Sequence, residues 1–461
     1  MIPTFAVVGH PNKGKSSIVA TLAEDSGLAI GPVPGTTAKS KRYTFQLNGN
    51  PQYVLVDTPG FQRVRAVLEW LHAHATSAQE RPKAVADFVA AHKNDDRFID
   101  ECELLEPIIN GAGILYVVDG AKPYGPEYEL EMQILQWTGQ PRMALINLIG
   151  DGDYVEQWRQ GLGQYFSIVR IFDAVHADFQ KRLSLLRGFA ELEESWREGV
   201  EQAISALEQE RLRRRKHAAT EIAESLRQCL QFSEQASTNE DTDEEKLKNK
   251  LHTNLLTQID SRERRTRATI QSLYRHDTVK HQSVTAQLLN EDLFAKTGWE
   301  LFGLSHTQLL ISGAVSGAVA GGGIDVLVGG ASLLLGTVIG AVLGGASVWF
   351  GADQIASVKV LGLPLGGKIM QVGPVKSASF PWVLLGRAWV HQQLIAERNH
   401  ARREVLSQSI IEEQHLMDSL PQGLRRSLAR IFKGIINENH SAADQDELAD
   451  LIDQVLSNKE E

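Results

Sequence analysis

The chain has 461 residues, of which 43% are hydrophobic and 23% charged, and its formal net charge at pH 7 is −10. This length and composition predict a large core and more than one domain, while the acidic balance argues against nucleic acid as a partner. The 2 cysteines, Cys102 and Cys229, lie far apart without metal-ligand spacing, which predicts reduced thiols in the cytosol.

A glycine-bounded loop opens the chain, since residues 9–16 read GHPNKGKS, which is Gly, any four residues, then Gly-Lys-Ser. An apolar run at 5–8 precedes the loop and another at 18–22 follows it, which predicts strand, loop and helix in that order. Backbone N–H groups in such a loop turn onto phosphate oxygens, and the helix N-terminus adds a partial positive charge. We therefore expect Lys15 to bridge the β- and γ-phosphates and Ser16 to ligate Mg²⁺. The alternative, a chance glycine-rich turn, is disfavoured by the flanking strand and helix patterns.

Two further segments extend this pattern toward a nucleoside triphosphate. The apolar strand 53–56 ends in the sequence DTPG, which places Asp57 where it can hold Mg²⁺ through water and Gly60 where its N–H can meet the γ-phosphate. Between the two motifs, residues 31–39 form a loop with two adjacent threonines, and Thr37 can close on the metal when a third phosphate is present. DTPG alone is a weak indication, but the three motifs at these separations are a strong one.

The motifs GHPNKGKSS, PGTT and DTPG resemble those of the Era/TrmE/EngA group of bacterial GTPases in the translation-factor class. The resemblance covers roughly residues 1–180, the size of one domain. It implies an α/β P-loop GTPase domain with a mostly parallel sheet and helices on both faces, which binds GTP or GDP with Mg²⁺ and hydrolyses GTP slowly without a partner or dimerisation. By position, it implies that Thr37 ligates Mg²⁺, that Asn12 takes part in a K⁺ site, and that Phe61 replaces a catalytic glutamine. Lys13 departs from the small or apolar residue usual in the group.

The loop expected to read the guanine base departs from Asn-Lys-x-Asp. Asn147 is in place, but Leu148 stands where the lysine is expected and Gly150 where the aspartate is expected. Asp151 comes one residue late, and the segment 172–174 takes the place of the last base loop. We expect GTP to be preferred over ATP, mostly because of the family resemblance, with Asp151 supplying the carboxylate. The predicted nucleotide-binding residues are Gly9, Asn12, Lys13, Gly14, Lys15, Ser16, Ser17, Asp57, Asn147, Asp151 and Ala174; the catalytic ones are Lys15, Thr37 and Gly60; the metal ligands are Ser16, Thr37 and Asp57 for Mg²⁺ and Asn12 for K⁺.

The first predicted domain, 1–182, contains more chain between its DTPG motif and the next strand than one helix needs. This excess predicts an enlarged switch II region that either transmits the nucleotide state to a partner or forms a solvated insertion. Residues 183–300 are predicted to form a long helical stalk, because apolar residues recur at three- and four-residue intervals. Its arginine-rich runs at 211–216 and 262–267 fit either anionic lipid or solvated helix faces. The apolar stripe consists of Phe189, Leu192, Trp196, Val200, Ile204 and Leu207.

A glycine-rich apolar segment runs from Leu309 to Ala352, with Asp325 as its only charge. Its glycines recur at four-residue spacing, which predicts two helices that pack closely through bare backbone. We expect a helical hairpin at 301–356 that inserts into the inner membrane, with aromatic residues at both open ends. The alternative is a buried soluble hairpin.

The last predicted domain, 357–461, combines a small β-hairpin around a Gly-Gly turn with C-terminal helices. The whole layout resembles bacterial Era-like GTPases whose C-terminal region belongs to a family of unknown function. It predicts a GTP-binding and GTP-hydrolysing switch on the cytoplasmic face of the bacterial inner membrane. Its expected partners are guanine nucleotide, membrane lipid or a membrane protein, and a second copy of itself. The alternatives are a dynamin-like membrane-remodelling GTPase and a soluble cytoplasmic GTPase of ribosome assembly.

Overall fold

The computed structural model describes residues 2–23, 39–47, 49–150, 152–174, 176–239, 241–276, 356–362, 368–397 and 419–458. The chain divides into two compact units, with the boundary between Arg211 and Leu212.

The first unit is built on a six-stranded sheet in the order β2-β3-β1-β4-β5-β6. Its strands are β1 (Thr4–Val8), β2 (Lys41–Leu47), β3 (Asn50–Asp57), β4 (Gly113–Asp119), β5 (Arg142–Asn147) and β6 (Ile168–Ile171). β2 pairs antiparallel with β3 at one edge, and the other neighbouring strands pair in parallel. The predicted α/β fold with a mostly parallel sheet is therefore confirmed.

Helices cover both faces of this sheet. They are α1 (Lys15–Ala23), α2 (Val64–His74), α3 (Arg81–His92), α4 (Ile99–Ile109), α5 (Glu127–Trp137), α6 (Val155–Leu162), α7 (Phe179–Leu192) and the first part of α8 (Glu194–Gln231). Because side chains alternate along a strand, Ala6 and Val8 enter one apolar cluster with α2 to α6. Phe5 and Val7 enter the opposite cluster with α1, α7 and α8. The sheet thus separates two apolar cores.

The beginning of the predicted stalk packs on the sheet. Five of the six residues of the apolar stripe belong to the same buried cluster as Phe5, and the sixth, Leu192, packs against it. The five are Phe189, Trp196, Val200, Ile204 and Leu207. Phe5 stacks on Phe189 with ring centroids 3.7 Å apart and meets Trp196 edge-on at 5.4 Å. A Cβ atom at Gly113 would lie 2.3 Å from the Trp196 ring, so a glycine is needed where the indole crosses β4. The predicted boundary at residue 182 falls inside α7, and this unit continues to Arg211.

The enlarged region between β3 and β4 is a helical insertion formed by α2, α3 and α4, with one turn of 3₁₀-helix at Ala78–Glu80. Val67, Phe88 and Leu105 each come from a different helix of the insertion, and all are buried in the cluster that contains Ala6 and Val8. Burial of these side chains is the main favourable contribution that fixes the insertion on the sheet. The insertion is therefore part of the core and not a solvated loop.

The second unit places helices around a three-stranded antiparallel sheet in the order β7-β9-β8. Its strands are β7 (Glu234–Thr238), β8 (Ala356–Gly362) and β9 (Lys368–Val375), and its helices are the rest of α8, α9 (Glu244–Leu273), α10 (Phe380–Ala396), α11 (Gln422–Ile436) and α12 (Ala442–Ser457). β8 and β9 pair antiparallel near the start of the predicted domain 357–461, while its predicted Gly-Gly turn lies outside the described residues. The C-terminal region is mainly helical, as expected. The strand β7 was not predicted.

Arginines of the two basic runs are engaged with acidic side chains in this unit. Arg215 pairs with Asp453 at 2.8 Å, and Arg262 pairs with Glu221 at 2.8 Å. Both guanidinium groups are largely withdrawn from solvent, with exposed side-chain fractions of 16% and 8%. Both arginines therefore have acidic partners within the protein, so neither requires an anionic lipid to balance its charge.

The predicted glycine-rich hairpin, 301–356, lies outside the described residues except for its last position. Within the part of the chain that the structure describes, no helix combines the length and apolar character needed to cross a membrane.

Candidate nucleotide-binding site

The loop between β1 and α1 is shaped by backbone that only small residues tolerate. Gly9 has φ +146° and Gly14 has φ +83°, and Asn12 also adopts a positive φ of 61°. A Cβ atom at Gly9 would lie 2.3 Å from the carbonyl oxygen of Val117, and one at Gly14 would lie 2.2 Å from Nδ2 of Asn147. Both glycines are therefore required by conformation and by close packing.

Lys15 begins α1 and turns its ammonium group back over the loop. Its Nζ donates hydrogen bonds to the carbonyl oxygens of Gly9 at 2.8 Å and His10 at 3.2 Å. Burial lowers the pKa of Lys15 to about 8, and the nearby carboxylates of Asp57 and Glu131 oppose this shift. The fold thus holds a largely desolvated cation over the loop, against the carbonyl oxygens of Gly9 and His10.

A hydroxyl and a carboxylate meet beside this lysine. Ser16 Oγ donates to Asp57 Oδ2 at 2.9 Å, and Asp57 is buried. The contact follows from the sheet, because β1 and β3 are parallel neighbours and their carboxyl ends lie together. Oxygen donors of these two kinds are the ligands that Mg²⁺ prefers, so the pair fits the predicted metal.

The DTPG motif is fixed against the loop at two points. Thr58 Oγ1 donates to the carbonyl oxygen of Val7 at 2.8 Å. Gly60 packs directly on Pro11, since a Cβ atom there would lie 2.7 Å from Pro11 Cδ. A displacement of Gly60 toward the phosphate loop therefore requires Pro11 to move as well.

Lys13, which departs from the family pattern, is paired with an aspartate that lies far from it in sequence. Its Nζ lies 3.8 Å from Asp119 Oδ2 and 5.6 Å from the centroid of the Tyr128 ring. Both charged side chains are almost fully buried. Burial lowers the pKa of Lys13, while Asp119 raises it. The lysine thus anchors the loop to the end of β4.

His10 provides a second anchor. Its Nδ1 lies 3.1 Å from Glu131 Oε1, and Tyr116 donates from its hydroxyl to the other oxygen of Glu131 at 2.8 Å. Glu131 is 2% exposed, so its carboxylate depends on these contacts. Glu131 carries no signal in the sequence that points to this role, since it lies 121 residues from His10 and belongs to no local motif.

The base-side loops converge on Asn147. Its Nδ2 donates to the carbonyl oxygen of Lys13 at 3.2 Å, and its Oδ1 accepts from the N–H of Ala174 at 3.1 Å. Thr21 on α1 donates to the carbonyl oxygen of Ala174 at 2.8 Å. Asn147 therefore joins the phosphate loop to the last base loop and acts as a positioning residue.

Of the remaining predicted site residues, the structure describes Ser17, while Thr37 and Asp151 lie outside the described residues. Ser17 lies half-buried in the first turn of α1, and Leu148, which stands where the guanine motif would have a lysine, is exposed. The structure thus brings together the phosphate-side residues and Asn147 with Ala174.

Comparison with known families assigns both parts of the chain. Residues 4–147 match the family model described as a 50S ribosome-binding GTPase, so this segment is a P-loop GTPase domain. Residues 159–456, more than half of the chain, match the family described as a domain of unknown function, DUF3482. The chain belongs to the DUF3482 family.

Curated relatives of this DUF3482 chain share only a short segment with it. It is 42% identical over 63 residues to the GTPase Der of Desulforamulus reducens, a match that covers 14% of each chain. It is 35% identical over 102 residues to the GTPase Der of Desulforudis audaxviator, covering 21% of this chain and 23% of the relative. The chain therefore spans less than a quarter of the length of these curated relatives.

Among solved structures, a variant of Era from Aquifex aeolicus bound to GDP.AlF4- aligns with a TM-score of 0.29 and 14% identity. Era in complex with MgGDPNP and a segment of 16S ribosomal RNA aligns with a TM-score of 0.30 and 14% identity. Each alignment covers 52% of this chain and 72% of the other. At such TM-scores they add no argument about the ligands of this chain.

Proposed function

We propose that the first unit binds GTP and GDP with Mg²⁺ and hydrolyses GTP, as a molecular switch. The observation that carries the proposal is the buried ammonium of Lys15 beside the Ser16–Asp57 pair, all at the carboxyl ends of neighbouring parallel strands. Ligands of α/β sheets bind at such ends, and the curated relatives are named as GTPases.

Each residue has a role that follows from its position. Lys15 exchanges the carbonyl oxygens of Gly9 and His10 for the β- and γ-phosphates, and the N–H of Gly60 meets the γ-phosphate. Ser16 and Asp57 would hold Mg²⁺, which when bound neutralises charge on the phosphates. Thr37 as a further ligand and K⁺ at Asn12 stay predictions.

The pKa of Lys15 gives the proposal a pH dependence. A bound phosphate restores the protonated ammonium, so nucleotide binding above pH 8 takes up a proton and the affinity falls by up to about tenfold per pH unit there. In the unliganded protein the folded pKa, about 8, lies below the unfolded value of 10.5, so the free energy of unfolding rises with pH between them. Calorimetric titration in buffers of different ionisation enthalpy measures the proton uptake. If the nucleotide affinity stays constant above pH 8, the proposal that Lys15 binds the phosphates with a lowered pKa is wrong.

Base choice tests the guanine part of the proposal. We expect unlabelled GTP to displace a bound fluorescent guanine nucleotide at lower concentration than ATP, because residues 4–147 match a GTPase family model and the curated relatives are named as GTPases. If Asp151 supplies the carboxylate, Asp151→Asn should weaken GTP and strengthen XTP, whose N1 and 2-oxo edge suits an amide. Equilibrium competition with GTP, ATP and XTP is the measurement.

Asp153, two residues after Asp151, provides the matched control for Asp151→Asn. Asp153 accepts a hydrogen bond from the N–H of Val155 at the start of α6, so Asp153→Asn should leave base choice unchanged. Equal displacement by ATP and GTP in the wild-type protein would contradict guanine selectivity. Failure of every nucleotide to bind would contradict the proposed function itself.

Membrane attachment is not part of this proposal. That prediction depends on Leu309–Ala352, which lies outside the described residues. Slow turnover, homodimerisation and the cytoplasmic membrane face likewise stay predictions from the sequence, as do the alternatives of membrane remodelling and ribosome assembly.

A further inference from the structure

The helix that follows the DTPG motif has no N-terminal cap of its own. α2 begins at Val64, and the side chain of Arg63 at the N-cap position makes no capping hydrogen bond. The first N–H groups of a helix need acceptors from elsewhere. Glu101, in the first turn of α4, supplies one: its Oε1 accepts from the N–H of Gln62 at 2.8 Å and of Arg63 at 2.5 Å.

Core packing alone does not explain a carboxylate at this position. Glu101 is 0% exposed, and its Oε2 is buried without a hydrogen-bond partner among the described residues. Its neighbours on α4, Cys102, Leu104 and Leu105, are apolar core residues. Burying a carboxylate is costly, so the compensation comes from the two N–H donors and the positive end of α2.

The same turn of α4 also holds the chain on the other side of the site. Glu103 Oε2 accepts from the N–H of Ser40 at 3.1 Å, and the carbonyl oxygen of Glu103 accepts from Ser40 Oγ at 2.5 Å. Ser40 immediately precedes β2, at the end of the connection that contains the predicted metal ligand Thr37. One helical turn of the insertion therefore touches the segments that flank both switch motifs.

The geometry points to Glu101 as a positioning residue that couples the γ-phosphate to the helical insertion α2–α4. The inference rests on the proposed function. Gly60, whose N–H is expected to meet the γ-phosphate, is pressed against Pro11 and lies only two residues before Gln62. By holding the N–H groups of Gln62 and Arg63, Glu101 supports Gly60 in the position from which its N–H can meet a third phosphate, and it links that position to α4.

The insertion contains its own reporter of such movement. Trp70 on α2 stacks on His74 with centroids 3.6 Å apart, and it meets Phe88 and His92 on α3 edge-on at 5.4 Å and 5.6 Å. Indole emission depends on these neighbours. A shift of α2 against α3 therefore changes the fluorescence of Trp70.

The first test compares diphosphate with triphosphate in Glu101→Ala. We expect the affinity for GDP to be unchanged, while the affinity for a non-hydrolysable GTP analogue falls about tenfold, because only the γ-phosphate uses the position of Gly60. Glu101→Gln retains an oxygen acceptor and should recover most of the loss. Glu106→Ala is the matched control, since Glu106 is on the same helix but pairs with exposed Lys93, and it should bind both nucleotides as the wild type does.

The second test starts from the unaltered protein, so its main measurement does not depend on a variant folding. Adding the GTP analogue should change tryptophan emission relative to GDP, and the difference should vanish in Trp70→Phe. The inference is wrong if Glu101→Ala loses equal affinity for GDP and for the GTP analogue, or if tryptophan emission is the same with both nucleotides. Either result would leave the proposed function intact. A wild-type protein that binds neither nucleotide would instead defeat the proposed function.

Discussion

Lys15→Ala is expected to weaken binding of both GTP and GDP by on the order of a hundredfold or more. The lysine ammonium is held over the phosphate loop by the carbonyl oxygens of Gly9 and His10, and it is already largely desolvated. A charge-assisted hydrogen bond contributes roughly 1.5–3 kcal/mol, and the lysine of a P-loop contacts more than one phosphate. Equilibrium titration with fluorescent GTP and GDP measures the loss.

Lys181→Ala is the control for this variant. Lys181 is an exposed lysine of the same unit whose Nζ lies 3.9 Å from Asp178 Oδ2, and its removal should leave both affinities unchanged. Circular dichroism of each variant checks that the fold is retained. If Lys15→Ala binds GTP as tightly as the wild type does, the assignment of residues 9–16 to phosphate is wrong.

The phosphate side of the site was predictable because each motif is continuous in sequence. GHPNKGKS places its glycines, Lys15 and Ser16 on one loop, and DTPG places Asp57 and Gly60 at the end of one strand. A mostly parallel sheet then brings the two ends together, as the pairing of β1 with β3 shows. The fold class follows from the same alternation of strand and helix patterns.

The supporting contacts were not predictable because they join distant parts of the chain. Lys13 with Asp119 and His10 with Glu131 pair across more than one hundred residues, and no local spacing marks the acidic partner. Glu101 is similar, since it is one of several carboxylates in the first half of α4 and only the fold places it at the start of α2.

Tertiary context also decided two elements that periodicity left open. β7 is a polar strand without apolar alternation, and it is formed because β9, more than one hundred residues later, pairs with it. The stripe that includes Phe189 and Trp196 was identified correctly as apolar, but a helical period does not say which surface the stripe contacts. Gly113 on β4 is the complementary feature, since it leaves room for the Trp196 ring.

In the second unit, Arg387→Leu is expected to lower the free energy of unfolding by about 3–5 kcal/mol. Arg387 lies on α10, whose side chains are almost all buried, and it pairs with Glu263 on α9 through Nε–Oε1 at 2.6 Å and Nη2–Oε2 at 3.3 Å. The side chains are 1% and 8% exposed, so removing the arginine leaves a buried carboxylate without its two-point partner. Denaturant unfolding followed by circular dichroism measures the change.

A double substitution separates the ion pair from simple loss of packing. Because a buried pair is costly to desolvate, Arg387→Leu combined with Glu263→Leu should recover most of the stability lost in the single variant. Arg430→Ala is the matched control: Arg430 pairs with Glu447 in the same unit but is 57% exposed, so its loss should cost less than about 1 kcal/mol. If the double variant is as unstable as Arg387→Leu alone, the deficit comes from the missing arginine stem and not from an unpaired Glu263. If Arg387→Leu unfolds at the wild-type midpoint, the pair does not stabilise the core of this unit.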